Sequence, residues 1–137
     1  MPRTHLLDTS VYSQPLKPLP LPAVERRWRA LGDDAMATSI ICEAELLYGL
    51  ALKQSARLDS LFEHLLKNRL VALPVDAAVA QSFASIKAAA REKGLSSSDF
   101  DFLIAATAKA HGLVLATLNV RHFRGIEGLA VEDWSSG

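Results

Sequence analysis

The chain has 137 residues, half of them hydrophobic and 22% charged, and its Lys and Arg balance its Asp and Glu to a formal charge of zero. That length suits one domain, and the composition excludes disordered and fibrous classes. A single cysteine, Cys42, excludes a disulfide framework or an all-thiolate zinc site within the chain, and zero net charge argues against a blanket basic surface for nucleic acid while permitting a local basic rim.

In chain order, "HLLD" reads as a first strand closing at Asp8, with Thr9 and Ser10 placed to cap whatever follows. The start lacks the zones of a signal peptide, and no apolar run approaches the ~20 residues of a bilayer span, so the expected location is the cytoplasm. Four of the six prolines fall in "SQPLKPLPLPAV", which is extended or irregular until Pro22 opens a helix through "AVERRWRAL". "DDAMATS" reads as a second strand, followed at once by a helix, "IICEAELLYGLALK", and by the amphipathic helix "SARLDSLFEHLLKN". "LVALPV" is a third strand; Asp76 caps an alanine-rich helix that runs to Lys93 and stops at Gly94. "SSSDFDFLIAATAKAHG" supplies another helix, "LVLAT" a strand buried on both faces, "NVRHF" a turn and "LAVED" an edge strand. Alternation of strand and helix implies parallel pairing with helices on both faces. The expected fold is α/β: a three-layer α/β/α sandwich with a mostly parallel, Rossmann-like sheet, in one domain over 1–137.

Ligands of an open parallel sheet bind outside the strands' C-terminal ends. Asp8 and Asn119 fall at such ends, Asp101 lies in the first turn of the helix feeding "LVLAT", and Glu45 sits about two turns into the helix after "MATS". Each has a structural alternative. Asp8 could be a cap, and Ser98 with Asp101 fits a capping box. Glu45 shares a helical face with Ile41, Tyr48 and Leu52, where a carboxylate needs compensation, whereas Glu43 can point to solvent. Three carboxylates sharing a cleft are driven to protonate unless cations neutralise them. Magnesium or manganese suits such oxygens, while zinc would want histidine or cysteine; His5, His64, His111 and His122 have no metal-ligand spacing. A carboxylate-bound hard cation suits hydrolysis of a phosphodiester.

The segments "LLDTS", "TSIICEAELLYG", "DFLIAATA" and "LATLNVRHF", in that order, resemble the PIN-domain ribonucleases, in particular VapC-type toxins of bacterial toxin-antitoxin pairs, and the likeness runs on to "GLAVEDW". The resemblance implies that Asp8, Glu45 and Asp101 are metal-binding catalytic acids and that Asn119 is the fourth catalytic position, an amide oxygen that brings no charge. Asp99 lies outside the motif and is assigned to capping. Thr9, Ser39 and Thr117 match small hydroxyl positions that orient carboxylates or metal waters, with helix capping and strand-end bonding as the alternative. Arg121 and His122 could contact substrate phosphates at the rim, with solvated surface charge as the alternative. Also implied are a Mg2+ cofactor, with Mn2+ possible in its place, an RNA substrate, a homodimer and an antitoxin partner. The antitoxin would pack between "AVERRWRAL" and "LDSLFEHLLKN", where Trp28, Leu61 and Leu65 are its contacts or ordinary core. A competing function is a non-catalytic RNA- or protein-binding module on the same fold. A phosphatase or receiver fits less well, because no D-x-D follows the first strand and Asp33 and Asp34 precede the second.

Overall fold

The computed structural model describes residues 2–136; Met1 and Gly137, the outermost positions of the expected domain, lie outside the described residues. Its sheet is built from the five expected apolar runs: β1 (His5–Leu7), β2 (Met36–Ser39), β3 (Val71–Leu73), β4 (Val114–Thr117) and β5 (Val131–Asp133). Every neighbouring pair is parallel, in the order β3-β2-β1-β4-β5. The chain steps outward from β1 to β3, then returns to the other side of β1 for β4 and β5. Right-handed crossovers put the helices of these two walks on opposite faces, which gives the expected three layers. The reversal also opens a crevice at the C-terminal ends of β1 and β4, the place where such sheets bind ligands.

Six helices surround the sheet: α1 (Thr9–Tyr12), α2 (Pro22–Leu31), α3 (Ile40–Lys53), α4 (Ala56–Leu65), α5 (Ala77–Glu92) and α6 (Asp99–Ala110). The central strands are short but dry on both sides: Leu6, Leu7, Leu115 and Ala116 are fully buried. Ala105, Ala106 and Ala108 line the buried side of α6, and these small side chains let its backbone lie close to β4 and α5. No helix among the described residues is long and apolar enough to cross a membrane.

Two local features depart from the sequence reading, and one of its alternatives is realised: Asp8 itself caps the turn after β1, its side chain accepting the Val11 amide, and Thr9 and Ser10 do not. The proline-rich stretch contains a 3₁₀ turn, Gln14–Leu16, braced by the buried Gln14, whose Oε1 accepts the Leu21 amide at 2.9 Å. Residues Asp33–Ala35 form a second 3₁₀ turn instead of starting β2. At Asp8 and Gln14, side-chain to backbone bonding satisfies amides locally and outcompetes extended structure; at Asp33 the side chain is held instead by Trp28 Nε1 and Arg69.

Candidate active site

Asp8 is the best-determined group in the crevice. β1 runs directly into it, its backbone amide continues the ladder to Ala116 O at 3.0 Å, and only 4% of the residue is exposed. Ser10 Oγ donates to Oδ1 at 2.6 Å, the Val11 amide donates to the same oxygen at 3.0 Å, and Thr117 Oγ1, from the end of β4, donates to Oδ2 at 2.5 Å. Burial raises the carboxyl's pKa, while the hydroxyls of Ser10 and Thr117 and the Val11 amide pull it down. Ser10 and Thr117 do more than hold Asp8. Ser10 Oγ accepts the Leu118 amide at 3.0 Å and Thr117 Oγ1 accepts the Asn119 amide at 2.9 Å, so the loop after β4 is pinned to the carboxylate from both sides. The sequence reading treats Ser10 only as a cap; its donor role follows from the D-x-S spacing, which places a hydroxyl two residues past a strand-end aspartate.

Glu45 reaches the crevice from α3. Thr9 Oγ1 donates to Glu45 Oε1 at 2.5 Å, which joins the residue after Asp8 to this carboxylate. The surroundings of Glu45 differ from the apolar stripe expected. Cys42 and Leu46 form the buried side of α3, whereas Tyr48 and Leu52 are 66% and 64% exposed. A helix that is apolar almost all round carries no phase information in its pattern. Ser39 caps α3, its Oγ accepting the Ile41 and Cys42 amides at 2.9 and 3.2 Å, so it acts on the helix and not on a carboxylate. Burial pushes the Cys42 thiol up, in keeping with an inert core residue.

Asp101 lies in the first turn of α6. The cap is Ser98, whose Oγ accepts the Asp101 amide at 3.1 Å. Asp99, assigned to capping, instead pairs with Lys87 of α5 at 2.8 Å. Asp101 is therefore free of capping duty through its side chain, and its Oδ2 stands 3.5 Å from His122 Nδ1. Ser97 Oγ donates to the His122 carbonyl at 2.6 Å, tying the rim turn Val120–His122 to the start of α6. Asn119 and Arg121 are exposed beside this turn, and Arg121 has no ion pair among the described residues.

These donors suit a hard divalent cation in kind: three carboxylates, one amide oxygen and several hydroxyls, with the buried charge of Asp8 unmatched by any cationic side chain among the described residues. In placement they form two linked pairs and a centre. Thr9 joins Glu45 to the Asp8 segment, Thr117 joins Asn119 to Asp8, and Asp101 faces His122. Among the described residues no three acidic, histidine or cysteine side chains converge on one point as placed, so a shared ion requires Glu45 and Asp101 to exchange their present partners.

Comparison with known proteins gives consistent results. The family model described as PIN domain matches residues 5–129. The chain is 32% identical over 130 residues to a tRNA(fMet)-specific endonuclease VapC of Shigella flexneri, with 95% of this chain and 97% of the relative covered. It is also 32% identical over 135 residues to Toxin FitB of Neisseria gonorrhoeae, covering 94% and 97%. Among solved structures, FitAB bound to an IR36 DNA fragment superposes with a TM-score of 0.88 at 31% identity, covering 98% of this chain and 97% of that one. DNA-bound VapBC from Salmonella typhimurium gives 0.82 at 30% identity, covering 96% and 98%.

Proposed function

Because the chain belongs to the PIN-domain family, we propose that it is a metal-dependent endoribonuclease, the toxin of a toxin-antitoxin pair, working in the cytoplasm as one domain over 1–137. The observation that carries this reading is the pinned, buried Asp8 at the reversal point of a parallel sheet, with Glu45 tied to the adjacent Thr9 and the Asn119 amide tied to Thr117, which itself donates to Asp8. Asp8, Glu45 and Asp101 are the ligands, Mg2+ the cofactor and Mn2+ an acceptable substitute. When bound, the ion supplies a water of lowered pKa and positive charge for the scissile phosphate.

The chain's own residues set the geometry for that chemistry. Ser10, Val11 and Thr117 fix both oxygens of Asp8: Oδ1 accepts two bonds and is filled, while Oδ2 accepts one and keeps a lone pair for a ligand. Thr9 orients Glu45. Asn119 offers an acceptor without charge, which limits repulsion among the carboxylates. Arg121 and His122 extend the rim, where they meet phosphates flanking the cleaved bond.

Two surfaces support the partners. Between α2 and α4 lies a groove of about 470 Å³ walled by Leu21, Val24, Trp28 and Leu65. Its charges are matched internally, Arg29 with Glu25 at 3.5 Å and Arg69 with Asp33 at 3.0 Å, which suits an amphipathic antitoxin segment. Leu61 is partly buried against the core and so belongs to the protein's interior more than to this groove. On α3, Ile40, Leu47, Tyr48 and Leu52 expose an apolar face suited to a second copy of the chain. Purified protein freed of antitoxin should cleave RNA with magnesium and stop in EDTA. Cleavage that persists in chelator and survives Asp8→Ala combined with Asp101→Ala would overturn the proposal.

A further inference from the structure

A second groove, of about 510 Å³, opens beside the candidate site between the turn after α1, α3 and the start of α4. Thr9 and Glu45, already joined by a hydrogen bond, form part of its wall, so it is continuous with the crevice. Three cations also line it: Lys17 after the 3₁₀ turn, Lys53 in the last turn of α3, and Arg57 in the first turn of α4. All three are exposed. None has an ion-pair partner among the described residues, and Glu45 is the only carboxylate in the lining.

The contrast with the α2/α4 groove is chemical. There, Arg29 and Arg69 are matched by carboxylates, and Arg69 lies over the Trp28 ring at 4.8 Å. Here the positive charge is left open. Lys53 can be explained by the negative end of α3, but Arg57 cannot be explained in that way. It sits at the positive end of α4, where a cation is electrostatically disfavoured. That end, capped by Ser55, adds its own positive field to the groove. The apolar floor provided by Leu16, Pro18, Leu46 and Leu50 can accept unstacked bases, while the cations follow phosphates.

We propose that this groove carries the single-stranded RNA substrate away from the cleaved bond, with Lys17, Lys53 and Arg57 contacting the phosphates on one side of it. The assignment rests on the ribonuclease reading above and gives it a strand path: Arg121 and His122 hold one side of the scissile phosphate, and these three cations hold the other. They are substrate-positioning residues and take no part in the chemical step.

The test uses fluorescent single-stranded RNAs that contain a bond the wild type cleaves, lengthened one nucleotide at a time on either side. For the wild type, KM should fall stepwise as the RNA grows on one side only. In the Lys17→Ala, Lys53→Ala, Arg57→Ala triple variant that gain should vanish, raising KM on the order of tenfold or more with kcat little changed, and lowering the slope of log KM against log salt by about 2. Lys53→Arg with Arg57→Lys, which keeps the charge, should retain the length dependence. A folded triple variant with wild-type KM, length dependence and salt slope overturns the proposal, as does one that loses only antitoxin affinity. Should the wild type cleave no RNA, the ribonuclease reading fails, and fluorescence anisotropy in EDTA still decides the groove. Tenfold weaker RNA binding by the triple variant supports it, and equal binding refutes it.

Discussion

Thr117→Val removes one hydroxyl from a fully buried site and nothing else of consequence. Valine keeps the shape and the β-branch that β4 favours, so the strand should be preserved. Two bonds are lost: the one from Oγ1 to Asp8 Oδ2 and the one from the Asn119 amide to Oγ1. A hydrogen bond to a charged group contributes roughly 1.5–3 kcal/mol and a neutral one about 1, so the expected loss of stability at neutral pH, without metal, is about 3 kcal/mol. The pH dependence distinguishes this cause from simple packing damage. Burial raises the Asp8 pKa, so the folded state holds that proton more tightly than the unfolded state. The associated stability is complete below the ordinary aspartate pKa of about 3.9 and is lost as pH rises through the raised folded value. The Thr117 hydroxyl lowers that pKa, and its removal moves the folded value higher still. The variant should therefore show a deficit near 3 kcal/mol in urea unfolding at about pH 8, shrinking towards about 1 kcal/mol as pH falls through the raised folded pKa and Asp8 becomes protonated. Cleavage should fall about 10- to 100-fold, the usual consequence of releasing a ligand from its orienting partner. An equal deficit at both pH values, or none, would refute the view that this hydroxyl supports the Asp8 charge.

Two further outcomes follow from the surfaces. Replacing Leu47 and Leu52, 46% and 64% exposed on α3, with glutamate should convert a dimer to a monomer in light scattering coupled to gel filtration; an unchanged mass would remove α3 from the interface. Such exposed positions should alter monomer stability by no more than about 0.5 kcal/mol each. Leu65→Glu, on the open wall of the α2/α4 groove, should weaken binding of the purified antitoxin by at least about tenfold in calorimetry, and unaltered affinity would place that polypeptide elsewhere.

The fold was legible because its signals are local. Short apolar runs such as "LVLAT" alternate with capped helices, and that rhythm permits little other than a parallel sheet. The positions of Asp8 and Asn119 at strand ends follow from the same runs. What escaped the sequence depends on contacts distant along the chain or on competition between two uses of one side chain. Asp8 serves both as the cap of α1 and as the acid at the crevice, and the sequence, which raises both uses as alternatives, does not show that one side chain does both. Asp99 looks like a capping residue until α5 is packed alongside and Lys87 comes within 2.8 Å. Tyr48 and Leu52 were placed on the same side as Glu45 by spacing alone, but only packing decides which side of α3 faces the core, and it chose Cys42 and Leu46.

The same limit applies to charge. A formal net charge of zero argues against a blanket basic surface, yet what an RNA strand meets is the charge left over after neighbours have paired. Salt bridges occupy Arg27, Arg29, Lys67, Arg69, Lys87 and Lys93, and their fields are largely cancelled at short range. Lys17, Lys53 and Arg57 have no ion-pair partner among the described residues and border the same groove as Glu45. A neutral chain can thus hold an acidic crevice and a basic approach side by side, because the local field depends on which charges share a groove and not on their sum. Attraction along that approach would position the strand in the groove. On this argument, added salt should weaken RNA binding by the wild type with a slope set by a few phosphate contacts, well below that of a uniformly basic protein.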